Sequence, residues 1–219
     1  MHLPYENERI EIRASKIVCV GKNYEAHARE MRSEIPREPV IFLKPPSSLL
    51  PPDSTIIIPP ESREVEHEVE LAVIVKKRAK KVPIDSAMDY ILGYTVFLDM
   101  TARDIQREAK RRGLPWTVSK GFDTFAPIGP RIVDAGNISP HNLEISLHVN
   151  GEIRQHGNTS AMIFKVPELI AYISSIMTLE PGDIIATGTP SGVGPVHDGA
   201  VIEAKIDGIG TLRENVERN

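Results

Sequence analysis

Residues 65–75 read V65-E66-H67-E68-V69-E70-L71-A72-V73-I74-V75. Side chains of an extended chain alternate between two faces. Val69, Leu71, Val73 and Val75 therefore share one face, and Glu66, Glu68 and Glu70 share the other. The acidic face continues into Ala72 and Ile74, so it is not plainly polar, and the opposite face is too apolar for a peripheral strand. The stretch reads as a strand that carries carboxylates into the body of a domain. Two carboxylates two residues apart repel unless something positive lies between them. A solvated outer face would show the same Glu-x-Glu pair, and at this point both readings stand.

Working outward, residues 1–14 are polar and read as an arm or edge strand, ahead of a single domain over 15–219. Ser15 to Val20 is a buried strand ended by Gly21, and Asn23 is placed to cap a short helix running to about Arg32. Val40 to Leu43 is a second short strand. The proline- and serine-rich stretch from Pro45 to Pro60 is loop around a strand at Thr55 to Ile58. A short helix near Asp85 to Ile91 precedes an apolar strand from Tyr94 to Asp99. Thr101 and Asp104 form a capping-box-like pair that opens a basic helix ending at Gly113. Asn150-Gly151 is a strong hairpin signal between Glu144–Val149 and Glu152–Gln155, since both turn residues tolerate positive φ. Pro167 suits the first turn of a helix with Leu169, Ile170, Ile173 and Ile176 on one apolar face. Asp183–Ala186 and Val201–Ile206 are further strands, the latter followed by a turn at Asp207-Gly208. Strands outnumber helices, connections are short, and no Gly-x-Gly-x-x-Gly follows a strand, which argues against a dinucleotide-binding sheet. The fold class is α+β and β-rich.

The 219 residues carry a formal charge of −4, with 41% hydrophobic and 26% charged side chains. An acidic balance speaks against a nucleic-acid or anionic-membrane surface, both of which call for a basic field. The polar opening is not a signal peptide, and no apolar run reaches the roughly 18 residues of a membrane helix. Cys19, the single cysteine, lies in the apolar run Ile17–Val20 and reads as a core thiol suited to a reducing cytoplasm.

Asp99 ends the apolar run Tyr94–Leu98, where a charge is costly unless paired or ligating; locally it also reads as a partner of the helix that follows. Three carboxylates without a Cys or His ligand pattern favour a hard cation such as Mg²⁺. His67 points to the opposite strand face by parity. His27 and Glu30, at i and i+3, can touch as a base and its orienting carboxylate would, although taken alone such a pair is more often a solvated helix face. Lys120 follows Trp116 in what reads as a loop. The segment T187-G-T-P-S-G-V-G194 supplies small hydroxyls and amides able to cradle a carboxylate, or is a plain turn.

In order along the chain, V18-C-V-G-K-N-Y24, E38-P-V-I-F-L-K-P45, H67-E-V-E-L71, L98-D-M-T-A-R-D104, K120-G-F-D123, Q155-H-G-N-T159 and T187-G-T-P-S-G-V-G194 resemble the fumarylacetoacetate hydrolase family. The compact length resembles its short acylpyruvate hydrolase and oxaloacetate decarboxylase branch. The resemblance implies a mixed β-sandwich roll, a homodimer, and Mg²⁺ or Mn²⁺ held by Glu68, Glu70 and Asp99. It implies His27 and Glu30 on a lid helix, Lys120 and Thr189 near the substrate, and Arg103 and Gln106 in support. No fourth acidic ligand is identifiable. The implied activity is cleavage of the C3–C4 bond of acylpyruvates, or decarboxylation of oxaloacetate, through a metal-held pyruvate enolate. Isomerisation of 2-hydroxydienoates or of oxaloacetate is the enzymatic alternative, and a cation-stabilised domain without turnover is the alternative from another class.

Overall fold

The computed structural model describes every residue except Arg32. The described residues form three sheets, the two larger of mixed parallel and antiparallel pairing and the smallest antiparallel. The largest has the order Glu8–Glu11, His2–Tyr5, Ala126–Asp134, Ile91–Leu98, Val69–Val75, Ile184–Ala186, Ile17–Gly21, Val40–Lys44, with Leu49–Leu50 paired to the Ala126–Asp134 strand. A five-stranded sheet runs Glu152–Asn158, Glu144–Val149, Val201–Ile206, Gly210–Arg218, Thr55–Ile58. A small sheet joins Thr101–Ala102, Val65–His67 and Gly194–Val196. The β-rich α+β architecture agrees with the sequence reading.

Period-two alternation builds the interior. Val69, Leu71, Val73 and Val75 join Val18, Val20 and the five-stranded sheet's Ile145, Leu147, Ile202 and Leu212 in one apolar cluster. Ala72 and Ile74 join Ile17, Cys19, Phe97 and Ile184 in a second. All seven residues of Val69–Val75 are buried, so the strand is covered on both faces.

The strand expected over 65–75 is two strands, broken at Glu68. Val65–His67 leaves the large sheet and pairs with Thr101–Ala102 and Gly194–Val196. The neighbouring chain breaks at the same level, at Asp99 and Met100, and across the break the Asp99 N–H donates to the Glu68 carbonyl at 2.9 Å. Glu68 and Asp99 thus sit side by side where a strand pair changes sheets.

The helices correct several local expectations. Helix α1 spans Glu25–Glu30, and Tyr24 precedes it without a side-chain cap. Asn23 is not its cap: its Nδ2 donates to the Phe164 and Thr187 carbonyls and its Oδ1 accepts from the Phe164 N–H. The expected helix end near Arg32 falls outside the described residues. The segment expected as a helix near 85–91 is a 3₁₀ turn, Ile84–Tyr90. Helix α2, Arg103–Arg112, does end at Gly113, which takes the left-handed conformation at φ 66°. Thr101 does not cap it, and Asp104 accepts from the Ser62 hydroxyl and the Arg63 N–H. Lys120 lies in a helical turn, α3 at Thr117–Lys120, rather than in a loop. Helix α4, Val166–Ile176, buries Leu169, Ile170 and Ile173, but Ile176 at its end is 52% exposed. Asn150 and Gly151 form the expected hairpin turn with φ of 53° and 79°. Residues 2–11 form a hairpin along the large sheet's edge, with Leu3 buried beneath it. No helix among the described residues is long and apolar enough to cross a membrane.

One buried acid, Glu214, has no ion pair among the described residues. Glu214 accepts from the Ser54 N–H through Oε2 at 2.8 Å, while Oε1 has no partner. Burial pushes its pKa up from 4.5 to about 7. The folded protein therefore holds a proton that the unfolded chain releases, and stability falls as pH rises from about 4.5 to about 7. Glu214→Gln, which cannot ionise, should flatten that slope and melt above wild type at pH 8; melting curves between pH 5 and pH 8 check it.

Candidate active site

Backbone geometry brings three carboxylates together. Glu68 stands at the sheet-changing break, Asp99 opposite it, and Glu70 two residues on, paired in register with Phe97. One oxygen from each lies within 4.8 Å of the others, and exposures are 6% for Glu68, 2% for Glu70 and 1% for Asp99. The solvated-face reading of Glu68 and Glu70 does not survive this burial.

Three buried cations answer them. Lys44, the last residue of its strand, places Nζ 2.5 Å from Asp99 Oδ1 and 2.9 Å from the Met100 carbonyl. Lys120 donates to Asp99 Oδ2 at 2.5 Å, to the Thr101 hydroxyl at 2.6 Å and to Glu68 Oε2 at 3.3 Å. Arg103, at the start of α2, donates to Glu66 through Nε, to Glu68 Oε1 through Nη2 at 2.5 Å, and to Gln106 Oε1 at 2.6 Å. Glu66 thereby belongs to the cluster, although the sequence assigns it no role. Among the described residues Glu70 is left with one partner, the Gly188 N–H at 2.7 Å.

The proton affinities follow from that arrangement. Burial works against the charged form of Glu68, but Lys120 and Arg103 outweigh it and hold its pKa far below the usual carboxylate range. Burial, then Asp99 and Glu68, push Glu70 well upward. Burial lowers Lys44 despite its contact with Asp99, whereas Asp99 and Glu68 outweigh burial at Lys120 and raise it. Among the described residues, four buried carboxylates face three buried cations, and the one without a cationic contact is Glu70. An oxygen-only donor set with an unbalanced negative charge fits a hard divalent cation held by Glu68, Glu70 and Asp99.

The remaining residues close the site. His27 and Glu30 do touch, Nδ1 to Oε2 at 3.2 Å, and His27 is a buried residue of α1. The segment 187–194 holds protein carboxylates: Gly188 N–H binds Glu70, and Gly192 N–H binds Glu30. Thr189 donates to the Val69 carbonyl at 2.8 Å and accepts from Gln155 Nε2 at 2.8 Å. A cavity of about 260 Å³ is lined by His27, Glu68, Glu70, Arg103, Gln106, Lys120 and Thr189, together with Lys22, Lys110 and Trp116. Asp99 and Glu30 are not among the lining residues. His67, as parity requires, turns away and places Nδ1 2.9 Å from Gln155 Oε1. Lys44 is the buried cation that sequence reasoning left without a role; its one signal was a lysine closing an apolar strand.

The sequence profile described as fumarylacetoacetate (FAA) hydrolase C-terminal matches residues 16–217. The chain belongs to the fumarylacetoacetate hydrolase family. An uncharacterized protein of Pyrococcus abyssi is 65% identical over 99% of this chain and 96% of its own length. The mitochondrial oxaloacetate tautomerase FAHD1 of Arabidopsis thaliana is 56% identical over 96% of this chain and 95% of its own. Among solved structures, fumarylpyruvate hydrolase of Pseudomonas aeruginosa, in complex with Mn²⁺ and pyruvate, superposes with a TM-score of 0.95 at 36% identity, covering 100% of this chain and 96% of that one. A family domain with a buried acidic triad able to hold a divalent ion replaces the local alternatives for Asp99.

The charge balance makes a testable distinction among the three acids. Glu70 has no ion pair to lose, so Glu70→Gln should fold and melt close to wild type without metal. Asp99→Asn leaves the buried Lys44 without its carboxylate, which typically costs about 3–5 kcal/mol, and should melt far lower. Glu68→Gln leaves Arg103 with Glu66 and Lys120 with Asp99 and should lose less. An ion at a hundredfold its Kd adds about 2.7 kcal/mol to wild type. Melting of chelator-treated protein with and without MnCl₂ should show that gain in wild type and not in Glu70→Gln.

Proposed function

We propose that this chain is a Mg²⁺- or Mn²⁺-dependent enzyme acting on small 2-oxo acids, with keto–enol interconversion of oxaloacetate as its first reaction. The observation that carries the reading is the triad of Glu68, Glu70 and Asp99, the first two of which line a cavity that also holds His27 and Lys120. A divalent ion there supplies Lewis-acid polarisation of a 2-oxo group. His27 supplies the proton chemistry. Glu30 takes the hydrogen on Nδ1, which leaves Nε2 of the neutral ring as a base for the C3 proton of the substrate. The same proton returned to the C2 oxygen gives the enol, so the step balances without a further reactant. Arg103 and Lys120 hold positive charge beside the cavity for the substrate carboxylate, and Gln106 fixes the Arg103 guanidinium.

The second reading is hydrolysis of an acylpyruvate at its C3–C4 bond, supported by the whole-length likeness to fumarylpyruvate hydrolase. Here His27 takes a proton from water attacking C4, and Lys120 faces the oxyanion. Decarboxylation of oxaloacetate needs neither a nucleophile nor removal of the C3 proton. A cytoplasmic homodimer in which α1 acts as a lid completes the proposal. The support for the pairing is the edge strand Val40–Lys44, whose Leu43 is 45% exposed beside an apolar groove.

His27→Ala separates these reactions. A positioned general base contributes about 10²–10⁴-fold, so tautomerisation and acylpyruvate hydrolysis should both fall by that order, while oxaloacetate decarboxylation keeps most of its rate. The assay follows enol absorbance and pyruvate release on oxaloacetate and on fumarylpyruvate under saturating Mg²⁺. Equal loss in all three reactions assigns His27 to closing the site instead.

A further inference from the structure

We propose that Lys22 and Lys110 form a second carboxylate site at the mouth of the same cavity and select 2-oxo acids that carry a distal carboxylate. The inference rests on reading the cavity as a 2-oxo acid site, and it names specificity-determining residues that the proposed chemistry does not use.

The cavity runs from a buried floor to an open rim. Its acids are at most 6% exposed, whereas Lys22 is half-buried and Lys110 is exposed, and both line the same space. A substrate whose 1-carboxylate and 2-oxo group face the triad directs its other end toward that rim.

The two lysines differ from the cations around them. Arg103 and Lys120 are bound to Glu66, Glu68 and Asp99. On the outer face of α2, Arg107 pairs with Glu64 and Arg111 with Glu108. Lys22 and Lys110 have no carboxylate or hydrogen-bond partner among the described residues. Lys110 instead lies over the Trp116 ring, its Nζ 5.0 Å from the centroid. Burial first, and then Arg103, Lys120 and Lys22, bring its pKa down to about 8. Glu68 offsets part of that repulsion at Lys110, but Lys22 and Lys110 still have no carboxylate of their own at the rim, the counterpart of the carboxylates that repel one another on the floor. A carboxylate arriving at the rim relieves the one repulsion as a dication relieves the other.

Lys22 adds an independent observation. It takes φ 59°, the left-handed conformation that favours glycine, between the Ile17–Gly21 strand and α1. Glycine stands one residue earlier, at position 21, and does not take that conformation. A lysine kept in strained backbone at a cavity rim is the pattern expected where the side chain is needed.

The test uses the full chain loaded with Mn²⁺ and calorimetric binding of two non-cleaved probes, 2-oxoglutarate with a distal carboxylate and pyruvate without one. Lys110→Met sits on an exposed helix face, and Lys22→Gly suits its backbone angle, so both variants should fold. Each should weaken 2-oxoglutarate about tenfold, the loss of one partly exposed charge-assisted hydrogen bond, and leave pyruvate within about twofold. Lys110→Arg should restore most of the difference. Equal losses for both probes, or no loss in the double variant, overturn the lysine site alone. Wild type that binds neither probe overturns the 2-oxo acid reading and this site with it.

Discussion

Mutual repulsion among Glu66, Glu68, Glu70 and Asp99 is the constraint around which the rest of the molecule is arranged. All four are buried at one end of the large sheet, and a buried charge is tolerated only when paired or ligating. The cations that answer them come from three separate places: Lys44 from the end of an edge strand, Arg103 from the first turn of α2, and Lys120 from α3. Each of those elements must therefore arrive at the strand break for the cluster to close. The break at Glu68 and Asp99 is what allows it, because it turns the strand ends out of the large sheet and toward the helices.

Such a cluster does little for net stability. Replacing buried ion pairs by packed apolar groups is often neutral or stabilising, while removing one partner is strongly destabilising. What holds the fold is the apolar packing on both faces of Val69–Val75. What the cluster adds is definition: Arg103 is bound by Glu66, Glu68 and Gln106 at once, so α2 has one position relative to the strand. The 187–194 segment plays the same part on the other side. Its amides bind Glu70 and Glu30, and Asn23 holds the Thr187 carbonyl, so an acid of the buried triad, α1 and this segment share one set of hydrogen bonds.

Much of this was legible in the order of residues, and the division between what was and was not is physical. Period two put the valines and the glutamates on opposite faces and turned His67 away from the acids, because alternation is a local property of extended chain. Asn150-Gly151 and Gly113 announced their turns through backbone conformations that few residues adopt. The misread positions are those where a long-range partner outcompeted a local one. Asn23 and Thr101 have the side chains of helix caps, but the first bonds Phe164 and Thr187 and the second bonds Lys120 and Glu68. Lys44 was silent because its partner Asp99 lies 55 residues on, and no pattern within a strand reports that distance.

The hydrogen-bond directions at the back of the cavity bear on which group of a substrate meets Thr189. Gln155 Oε1 accepts from the Val69 N–H at 3.1 Å, which fixes the amide, so the Gln155 Nε2 must be the donor to the Thr189 hydroxyl at 2.8 Å. The hydroxyl hydrogen is itself committed to the Val69 carbonyl. A hydroxyl has one hydrogen and two lone pairs. Thr189 therefore offers the cavity a single remaining lone pair and no hydrogen. A carboxylate, which only accepts, gains nothing from that atom. An enol hydroxyl does, because it can donate, and the ketone form of the same molecule cannot. In the proposed reaction on a 2-oxo acid, that lone pair would favour the enol over the keto form. That asymmetry belongs to tautomerisation more naturally than to recognition of either carboxylate, which the cationic side chains of the cavity already serve.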